Sequence, residues 1–363
     1  RQEAGKTSPK VFELAREHLQ TKKEETWVFE DSLYAVKTAS KAGFPVCSIY
    51  DAYSRDNTEE IRTFSDIYVK DFYEIESCQV FQRKKTVATQ TVRKKIRKCK
   101  MKTVLTIAGS DASGGAGIQA DIKTLTVHKV YATSCITALT AQNTKGITGI
   151  MPVPPDFFEK QMDSVFSDIK PDAVKIGMIA SKEQVEIIAK YLQKYSIKQV
   201  VADPVMISTS GTILVEEEVR EVLYEKLFPN ISLLTPNLPE TEFLSGGKIT
   251  DRKTREKAAE IIAKRWNCAV LSKGGHSEQN ADDFLYEKAF KCPKKVWYPA
   301  CRIDNPNTHG TGCTLSSAIA ANLAKGFSIE ESVKEAKDYI SGAIGAMLNL
   351  GQGNGPLDHM WDL

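Results

Sequence analysis

The sequence predicts an α/β protein with a mostly parallel central sheet and helices on both faces of that sheet. From residue 101 onwards, short apolar runs typical of buried strands alternate with longer segments whose apolar residues recur at helical spacing. Strands that are joined through helices run parallel and are buried on both faces, so they contain few polar residues. Motifs rich in glycine, proline or acids follow several of the apolar runs, which is where open α/β sheets bind their ligands.

The elements follow one another in regular order after residue 101. The run 103–108 is aliphatic and β-branched, the helix at 155 has proline in its first turn, and an alanine-rich helix ends at Gly326. Residues 283–291 suggest antiparallel strands, and a last helix closes the chain. The predicted strands are 103–108, 134–140, 173–176, 199–203, 233–235 and 269–272. The predicted helices are 118–128, 155–167, 182–195, 216–227, 251–266 and 314–325.

The first 76 residues show a shorter strand–helix alternation. A helix is expected over 9–19, opened by Ser8 with proline at its first position, and a strand over 27–29. A helix over 35–42 and a strand over 46–50 follow. This pattern predicts a small α/β sheet.

Two segments of this first part carry a family resemblance. "Gly5-Lys6-Thr-Ser-Pro9" and "Val28-Phe-Glu-Asp31-Ser" resemble the lysine segment and the acidic magnesium motif of haloacid-dehalogenase-type phosphatases. That family needs a nucleophilic aspartate in a DxDx[TV] loop, and no such segment precedes Lys6. We therefore expect residues 1–76 to be a truncated, inactive haloacid-dehalogenase-like α/β fragment. Glu30 and Asp31 are also explained as an N-cap pair of the next helix.

Residues 77–100 are basic and have little apolar periodicity. Arg83-Lys-Lys and Arg93-Lys-Lys-Ile-Arg-Lys stand in a stretch with almost no acids. Such a stretch is either a patch that binds nucleic acid or a solvated linker. Scarce aromatic residues favour the linker, so the predicted organisation is a fragment at 1–76, a basic linker at 77–100 and a complete α/β domain at 101–363.

Composition excludes several classes of protein. The 363 residues are 42% hydrophobic and 26% charged, and the net charge is +3, too close to neutral to indicate nucleic-acid binding. No apolar run approaches the ~18 residues of a transmembrane helix. The eight cysteines show neither a CxxC pair nor zinc-site spacing. We expect a cytoplasmic protein with free thiols and with neither nucleic acid nor membrane as a partner.

A glycine turn leads into the predicted helix 314–325. Gly310-Thr311-Gly312-Cys313 places free backbone N–H groups and the positive end of the helix dipole at one point, which suits an anion. A thiol there would have its thiolate form favoured by the same field. The alternative is a tight turn with a small buried thiol.

Further polar motifs follow the predicted strands. The glycine loop 109–117 follows the first of them, and Asp203-Pro-Val-Met206 and Thr235-Pro-Asn237-Leu-Pro-Glu240 follow two others. Carboxylate and amide oxygens at such positions suit Mg²⁺. Lys273-Gly-Gly-His276 adds a cation that suits a polyphosphate. A metal-holding acid, a lysine and an anion site are the components of phosphoryl transfer.

Together these motifs give residues 101–363 a strong resemblance to the bifunctional hydroxymethylpyrimidine/phosphomethylpyrimidine kinases of thiamine biosynthesis, in the ribokinase superfamily. The motifs that carry it are "Thr106-Ile-Ala-Gly-Ser-Asp-Ala-Ser-Gly-Gly-Ala-Gly-Ile-Gln-Ala-Asp121", "Ala141-Gln142-Asn143-Thr144", "Lys175-Ile-Gly-Met178", "Asp203-Pro-Val205-Met", "Thr235-Pro-Asn-Leu-Pro-Glu240", "Lys273-Gly-Gly-His" and "His309-Gly-Thr-Gly-Cys313". The resemblance implies a ribokinase-like fold.

The resemblance also implies a role for each motif. The aminopyrimidine would be held by Gly109, Asp121, Gln142, Met178 and Val205. Mg²⁺ would be organised by Asp203 and Glu240, mostly through water, and the ATP phosphates would contact Asn237 and Lys273. The transferred phosphoryl group would lie at Gly310, Thr311, Gly312 and Cys313, with Cys313 accepting the proton of the substrate hydroxyl or placing that hydroxyl.

The expected function is ATP- and Mg²⁺-dependent phosphorylation of hydroxymethylpyrimidine to its monophosphate and then to the diphosphate, by a homodimer. A pyridoxine or pyridoxal kinase of the same superfamily is the nearest alternative, and it would differ in the ring pocket. Gln142 and Asn143 favour the pyrimidine, because an amide can pair with a ring nitrogen and an amino group together. A non-catalytic adaptor is a further alternative, against which the complete set of kinase motifs argues.

Overall fold

We describe the protein from a computed structural model, which describes residues 6, 8–75, 101–206, 215–275, 280–288 and 292–363. The chain divides into two compact units, residues 1–99 and 100–363. Each unit has its own hydrophobic core. The basic segment 77–100 lies outside the described residues, so its role as a linker stays a prediction.

The N-terminal unit is a small α/β sheet. Its strands are β1 (Val28–Glu30), β2 (Val46–Ile49) and β3 (Ile67–Val69). Its helices are α1 (Lys10–Leu19), α2 (Leu33–Lys41), α3 (Thr58–Thr63) and α4 (Phe72–Ile75), with 3-10 turns at Lys23–Glu25 and Ala52–Asn57. The strands pair in parallel in the order β1-β2-β3. The core lies between α2 and the sheet, around Val36 and Val46.

The C-terminal unit alternates strands and helices along most of its length. Its strands are β4 (Thr103–Asp111), β5 (Tyr131–Asn143), β6 (Gly146–Pro152), β7 (Ala173–Ile176), β8 (Val200–Ala202), β9 (Leu233–Leu234), β10 (Ala269–Ser272), β11 (Asp283–Glu287) and β12 (Lys294–Tyr298). Its helices are α5 (Gly117–Val127), α6 (Pro155–Asp168), α7 (Lys182–Lys194), α8 (Glu217–Val222), α9 (Leu238–Ser245), α10 (Arg252–Trp266), α11 (Thr311–Lys325) and α12 (Ile329–Gly345).

These strands form a sheet in the order β12-β11-β10-β9-β8-β7-β4-β5-β6. The pairs from β10 to β5 are parallel, whereas β11, β12 and β6 are antiparallel at the two edges. Alternate strand residues point to opposite faces. Leu105 and Ile107 accordingly pack in one core cluster with α6, α7 and α10, and Val104 packs in the other with α5, α11 and α12. The predicted mostly parallel sheet with helices on both faces is confirmed.

Several elements differ from the sequence-based prediction. Strand β5 reaches Asn143 and turns back into β6, whose side chains are exposed, because the hairpin extends beyond the covered part of the sheet. The predicted helix 216–227 is α8 followed by a π-helical turn at Leu223–Leu227. Helix α9, which was not predicted, starts inside the motif Thr235-Pro-Asn237-Leu-Pro-Glu240, and α11 begins at Thr311 rather than at 314. Within the described ranges, none of the helices combines the length and hydropathy needed to cross a bilayer.

Candidate active site

The glycine loop between β4 and α5 folds around the side chain of Asp111. One carboxylate oxygen accepts the N–H and the hydroxyl of Ser113 at 2.8 and 2.7 Å, and the other accepts the N–H groups of Gly115 and Ala116 at 3.1 and 2.8 Å. Burial opposes the charge of Asp111, but these hydrogen bonds and that from His309 outweigh it and lower the pKa. An ionised Asp111 therefore holds the loop in shape at the end of β4.

The glycine loop packs directly on the turn that begins α11. Gly310, the N-cap of α11, has φ +84°, and a β-carbon on it would overlap the carbonyl oxygen of Gly115. A β-carbon on Gly115 would in turn lie 2.5 Å from Cδ2 of His309. Only glycine permits this approach of two backbones. The first turns of α5 and α11 are thereby brought together, with the N–H of Gly117 directed at the sulfur of Cys313.

Fewer N–H groups of the anion turn, residues 310–313, are free to bind an anion than the sequence predicts. The N–H of Thr311 donates to the carbonyl oxygen of Thr308 at 3.3 Å, and the N–H of Thr314 makes the first intrahelical bond, to Gly310, at 2.9 Å. The N–H groups of Gly312 and Cys313 lie between those of Thr311 and Thr314, in the first turn of the helix, where backbone donors have no intrahelical acceptor and can bind a ligand or water. Of the four predicted residues, Gly312 and Cys313 are thus the ones whose N–H groups suit an anion.

An aspartate and a lysine meet at this first turn of α11. Asp203 follows β8 and Lys273 follows β10, and Oδ1 of the acid lies 2.7 Å from Nζ of the lysine. A β-carbon on Gly312 would lie 2.7 Å from Oδ2 of Asp203 and 3.3 Å from Nζ of Lys273. The structure therefore brings these three predicted residues into one place. Asp203 and Lys273 meet because the carboxyl ends of parallel strands share an edge of the sheet, and the first turn of α11 packs against that edge.

Glu240 lies in the first turn of α9, close to that pair. Its Oε2 accepts the N–H of Asn237 at 2.9 Å, while Oδ1 of Asn237 accepts the N–H of Glu240 at 2.8 Å, which forms a capping box. The other oxygen accepts the N–H of Met206 at 2.9 Å. Burial raises the pKa of Glu240, the charge of Lys273 opposes this shift, and the charge of Asp203 adds to it.

These carboxylates fit a magnesium ion held mainly through water. Among the described residues there is no group of three or more His, Cys, Asp or Glu side chains arranged to hold a metal. Mg²⁺ needs few protein ligands and keeps several of its waters. Asp203 and Glu240 are buried and near enough to disfavour each other's charge, which a divalent cation would relieve.

Cys313 is half-buried in the first turn of α11. Burial raises the pKa of its thiol, and this effect outweighs the opposing charge of Lys175. The charges of Asp121 and Asp203 raise the pKa further. The pKa shift is therefore opposite to the one expected from the helix terminus, because burial of the sulfur outweighs the charge of Lys175 and the N–H of Gly117. Cys313 is a thiol at neutral pH.

Asp121 faces the interior of the protein rather than the ligand side. Both of its oxygens lie 2.8 Å from Nζ of Lys175 in β7, and both residues are fully buried. The carboxylate also accepts the hydroxyls of Ser317 at 2.7 Å and Thr106 at 2.5 Å. The predicted direct contact of Asp121 with an aminopyrimidine does not match this arrangement, because its charge is balanced by a lysine inside the core.

The remaining predicted ring contacts lie around the ends of β4, β5, β7 and β8. A β-carbon on Gly109 would lie 3.5 Å from Sδ of Met178, so these two residues are neighbours. Gln142 lies on β5, with its amide nitrogen 3.2 Å from Nε2 of His309. Val205 has φ +45°, a conformation that β-branched residues rarely adopt and that is strained at the end of β8.

The segment after α12 folds back over this region. The carbonyl of Gly355 accepts the N–H of His309 at 3.2 Å, and the N–H of Gly353 donates to the hydroxyl of Thr144 at 3.1 Å. Further along, Nε2 of His359 lies 3.1 Å from the hydroxyl of Thr314. Burial lowers the pKa of His359 to about 4, so this imidazole is neutral. Residues 348–359, the C-terminal segment, thus contact both the end of β5 and the start of α11.

Sequence reasoning missed the residues that support the site from behind. No role was predicted for Asp111, Lys175, His309 or Ser317, although the first three lie within the quoted motifs. Lys175 and Ser317 contact Asp121. His309 contacts Gln142, and Asp111 contacts His309. Lys175 had a signal, since a lysine within an otherwise apolar strand has to find a buried partner. Asp111, His309 and Ser317 gave no such signal, because their partners are distant in sequence or lie on backbone.

The N-terminal unit brings together the two segments that resemble a phosphatase. Nζ of Lys6 lies 2.7 Å from Oε1 of Glu30, which is buried at the end of β1. This contact raises the pKa of Lys6. The contact does not distinguish a phosphatase remnant from an ordinary ion pair, and the resemblance stays a prediction.

The C-terminal unit brings an acid, a lysine and a helix N-terminus together, and these are components that phosphoryl transfer uses, since that reaction depends on positioning and on neutralised charge. It is a kinase with a ribokinase-like fold. A protein-family model described as phosphomethylpyrimidine kinase matches residues 111–358, and the chain belongs to this family. The match lies wholly within the C-terminal unit.

Individual relatives agree with this assignment. The chain is 46% identical over 259 residues to the hydroxymethylpyrimidine/phosphomethylpyrimidine kinase of Rhizobium meliloti, covering 70% of this chain and 96% of that protein. It is 46% identical to the thiamine biosynthesis bifunctional protein ThiED of Geobacter sulfurreducens, covering 71% of this chain and spanning about half, 52%, of that longer protein. Among solved structures, an ADP complex of Bacillus subtilis pyridoxal kinase matches with a TM-score of 0.65 and 34% identity, over 72% of this chain and 98% of that one.

Proposed function

We propose that the C-terminal unit transfers a phosphoryl group from ATP to 4-amino-5-hydroxymethyl-2-methylpyrimidine, and then a second one to the monophosphate, in thiamine diphosphate biosynthesis. The observation that carries this proposal is the meeting of Asp203, Lys273 and Gly312 at the first turn of α11. The name of the Rhizobium meliloti relative, 46% identical over this unit, supports the choice of substrate.

The phosphate groups are bound by charge and by backbone. Lys273 carries a positive charge, since the carboxylates of Asp203 and Glu240 raise its pKa although burial opposes it. It is only 14% exposed, so a phosphate that reaches it is largely shielded from water. Asn237 uses its side-chain oxygen to cap α9, so a contact with a phosphate falls to its NH₂ group. The N–H groups of Gly312 and Cys313 stabilise the phosphoryl group in transit.

Asp203 and Glu240 would hold Mg²⁺, and the ion would neutralise negative charge on the phosphates. In the free protein Lys273 occupies Oδ1 of Asp203 at 2.7 Å. On binding of metal and nucleotide, Asp203 would release Lys273 in favour of the ion, and Lys273 would then be free to face the phosphates.

Cys313 places the acceptor hydroxyl rather than serving as a ready-made base. Its raised pKa keeps the hydrogen on sulfur in the free protein. A weak donor and acceptor at the mouth of the anion turn can orient the hydroxyl toward the γ-phosphorus. The hydroxyl oxygen bonds to the γ-phosphorus while the bond from that phosphorus to the leaving oxygen of ADP breaks, and the hydroxyl proton passes late, in a loose transition state, to an oxygen of the transferred phosphoryl group.

Gln142, Gly109, Met178 and Val205 form the ring side of the site. Gln142 pairs with the ring nitrogen and the amino group. Gly109 leaves space for the rest of the ring, and the apolar side chains of Met178 and Val205 contact it. Asp121 contributes indirectly, through the buried pair with Lys175 that lies beneath the first turns of α5 and α11.

Pyridoxal or pyridoxine is a second candidate substrate. The observation that favours it is the similarity to the pyridoxal kinase of Bacillus subtilis, whose fold covers 72% of this chain. The two reactions share the same phosphoryl-transfer residues and differ only in the ring that Gln142 and its neighbours accept.

A substrate panel tests the proposed function. We expect Mg-ATP consumption by the full chain with hydroxymethylpyrimidine and with its monophosphate, at kcat/KM values well above those for pyridoxine and pyridoxal. Turnover of the pyridine substrates alone would contradict the choice of ring. No turnover of any of the four would contradict the kinase site itself.

Three further features belong to the same proposal. The apolar side chains of Ile147, Ile150 and Met151, exposed on β6, support a homodimer, which sedimentation of the full chain tests.

The N-terminal unit is proposed to be an inactive remnant, so the full chain should not hydrolyse a generic phosphomonoester. Free thiols favour a cytoplasmic location.

A further inference from the structure

Four polar side chains form a continuous series of contacts beside the ring side of the site. Nε2 of His309 lies 2.9 Å from Oδ2 of Asp111 and 3.2 Å from the amide nitrogen of Gln142. The amide oxygen of Gln142 lies 3.1 Å from the hydroxyl of Thr140, which in turn lies 2.9 Å from the carbonyl oxygen of Ser110. The number of hydrogens on each group decides which atom donates in each contact.

The contact of His309 with Asp111 fixes one end of the series. An ionised carboxylate can only accept, so Nε2 of His309 carries the hydrogen that lies between the two side chains. A ring nitrogen that carries a hydrogen has no lone pair left for an amide N–H. The part of Gln142 that suits this position is its carbonyl oxygen, which can share the single Nε2 hydrogen with Asp111 in a three-centre bond.

The hydroxyl of Thr140 fixes the other end. It has a single hydrogen, and the carbonyl oxygen of Ser110 can only accept, so Thr140 donates to Ser110. The lone pairs of the hydroxyl then face Gln142 and need a donor, which is the amide NH₂ group. Both neighbours therefore select the same orientation of the Gln142 carboxamide, with its oxygen at His309. This orientation is related by a 180° flip to the one that places the nitrogen at His309.

We propose that His309 and Thr140 hold the Gln142 carboxamide with its oxygen toward His309 and its nitrogen toward Thr140, and that this orientation selects the substrate ring. The inference rests on the proposed function, in which Gln142 contacts that ring. His309 and Thr140 are positioning residues, since they act through Gln142.

The orientation has a direct consequence for the ligand. A carboxamide has two lone pairs on oxygen and two hydrogens on nitrogen, and His309 and Thr140 each use one of these. One acceptor and one donor remain, side by side. A ring nitrogen next to an exocyclic amino group satisfies both, as in a 4-aminopyrimidine. A pyridine ring that lacks the amino group leaves at least one of them without a partner, which costs affinity.

Two substitutions test the proposal from opposite ends of the series. His309→Phe keeps a flat ring, slightly larger than imidazole, and removes the N–H, and Thr140→Val keeps the shape and removes the hydroxyl. We expect each to raise KM for hydroxymethylpyrimidine by roughly fivefold to tenfold, the range of one hydrogen bond, with a much smaller change in kcat. The preference for hydroxymethylpyrimidine over pyridoxine in kcat/KM should fall by a similar factor.

The double variant distinguishes orientation from two separate contacts. Loss of either neighbour already frees the carboxamide to turn, so His309→Phe with Thr140→Val should lower the preference by less than the product of the single effects. Thr140→Ser restores the hydroxyl and should recover most of the preference. Thr148→Val is the matched control, because Thr148 also donates to a main-chain carbonyl, that of Ala141 at 3.0 Å, on the exposed strand of the same hairpin. It should leave both substrates unaffected.

Nitrogen NMR of the histidine side chains gives a second readout, with His309→Phe identifying the signal. We expect a hydrogen on Nε2 of His309 in the full chain. A bare Nε2, or a substrate preference that stays within twofold in both single variants of an active enzyme, would overturn the inference. A wild-type chain that does not use the pyrimidine would instead overturn the proposed function.

Discussion

Two Asp–Lys pairs of the C-terminal unit have nearly the same geometry and different surroundings. Asp121 and Lys175 lie 2.8 Å apart with both side chains 0% exposed. Asp203 and Lys273 lie 2.7 Å apart with side chains 6% and 14% exposed. The first carboxylate is also bonded by two hydroxyls of the core, whereas the second lies at the glycine that begins α11.

From this difference in surroundings we infer two roles. Asp121 and Lys175 form a supporting pair, and Asp203 and Lys273 form a working pair. A buried ion pair whose remaining lone pairs are satisfied has no reason to open, and breaking it leaves a charge in the core. A pair at the edge of the site can exchange partners with a metal ion and a phosphate. Distance alone would assign both pairs the same role, and burial together with the neighbouring groups assigns them different ones.

The largest expected effect comes from Lys175→Met, which would break the supporting pair. It leaves Asp121 charged in the core, so the free energy of unfolding should fall by about 3–5 kcal/mol. Urea unfolding followed by tryptophan fluorescence measures this. Lys175→Met combined with Asp121→Asn removes both charges and should recover most of the loss. A single variant as stable as the wild type would show that this pair does not support the fold.

The working pair is tested by Lys273→Met. We expect kcat to fall roughly 10²- to 10³-fold, as when a positioned charge-stabilising group is removed from a transition state. Stability should fall less than with Lys175→Met, by about 1–2 kcal/mol, because the dipole of α11 still faces Asp203. Steady-state kinetics with saturating Mg-ATP, alongside urea unfolding, measures both. A variant that loses stability and keeps kcat would reverse the roles given to the two pairs.

A smaller loss of activity is expected from Gly312→Ala, which tests the geometry around the working pair. The new β-carbon would lie 2.7 Å from Oδ2 of Asp203, so the carboxylate or the helix must shift. We expect kcat to fall roughly 10- to 100-fold through misplacement of the reacting groups. Gly345→Ala is the control, since it also lies in a helix and nothing lies within 4 Å of its added carbon. Equal activity of both variants would place the working pair elsewhere.

The smallest expected effect concerns the protonation of Cys313, which depends on burial and on the charges of the supporting pair. Its pKa is raised, so the thiolate fraction at any given pH is lower than for an ordinary cysteine with a pKa of about 8.5. Alkylation by iodoacetamide, followed by mass spectrometry of the peptide that contains Cys313, should be slow at pH 7. The rate should still rise above pH 9. A plateau below pH 8 would mean that the thiolate is favoured after all.

The two pairs also show which features a sequence can predict. The meeting of Asp203 and Lys273 was predictable, because each follows an apolar run and parallel strands bring the residues at their carboxyl ends to one edge of the sheet. Gly312 begins a helix instead, and its anion-binding turn was the signal that pointed to the same place. The partner of Asp121 was not predictable, since Lys175 is distant in sequence and only packing brings the two together. The shift of Cys313 had the wrong predicted sign because the helix start is visible in sequence and the loss of solvent around the sulfur is not.

The fold was predicted more completely than its details. Alternating runs and helical spacing gave the parallel sheet and its two helical layers. The hairpin of β5 and β6 was missed beyond residue 140, since a ribbon with exposed side chains lacks the apolar signal of a buried strand. The start of α9 was hidden by two prolines, which are compatible with a first helical turn as well as with a loop.

The C-terminal segment has a consequence for how the enzyme is made in the cell. Residues 348–359 come after every other element of the kinase unit in sequence, yet they hold His309 and Thr144 in place. A nascent chain that has already formed its sheet on the ribosome therefore still lacks the contacts that complete the cleft. These contacts can form only after residues 348–359 have been translated, so this side of the cleft is completed last.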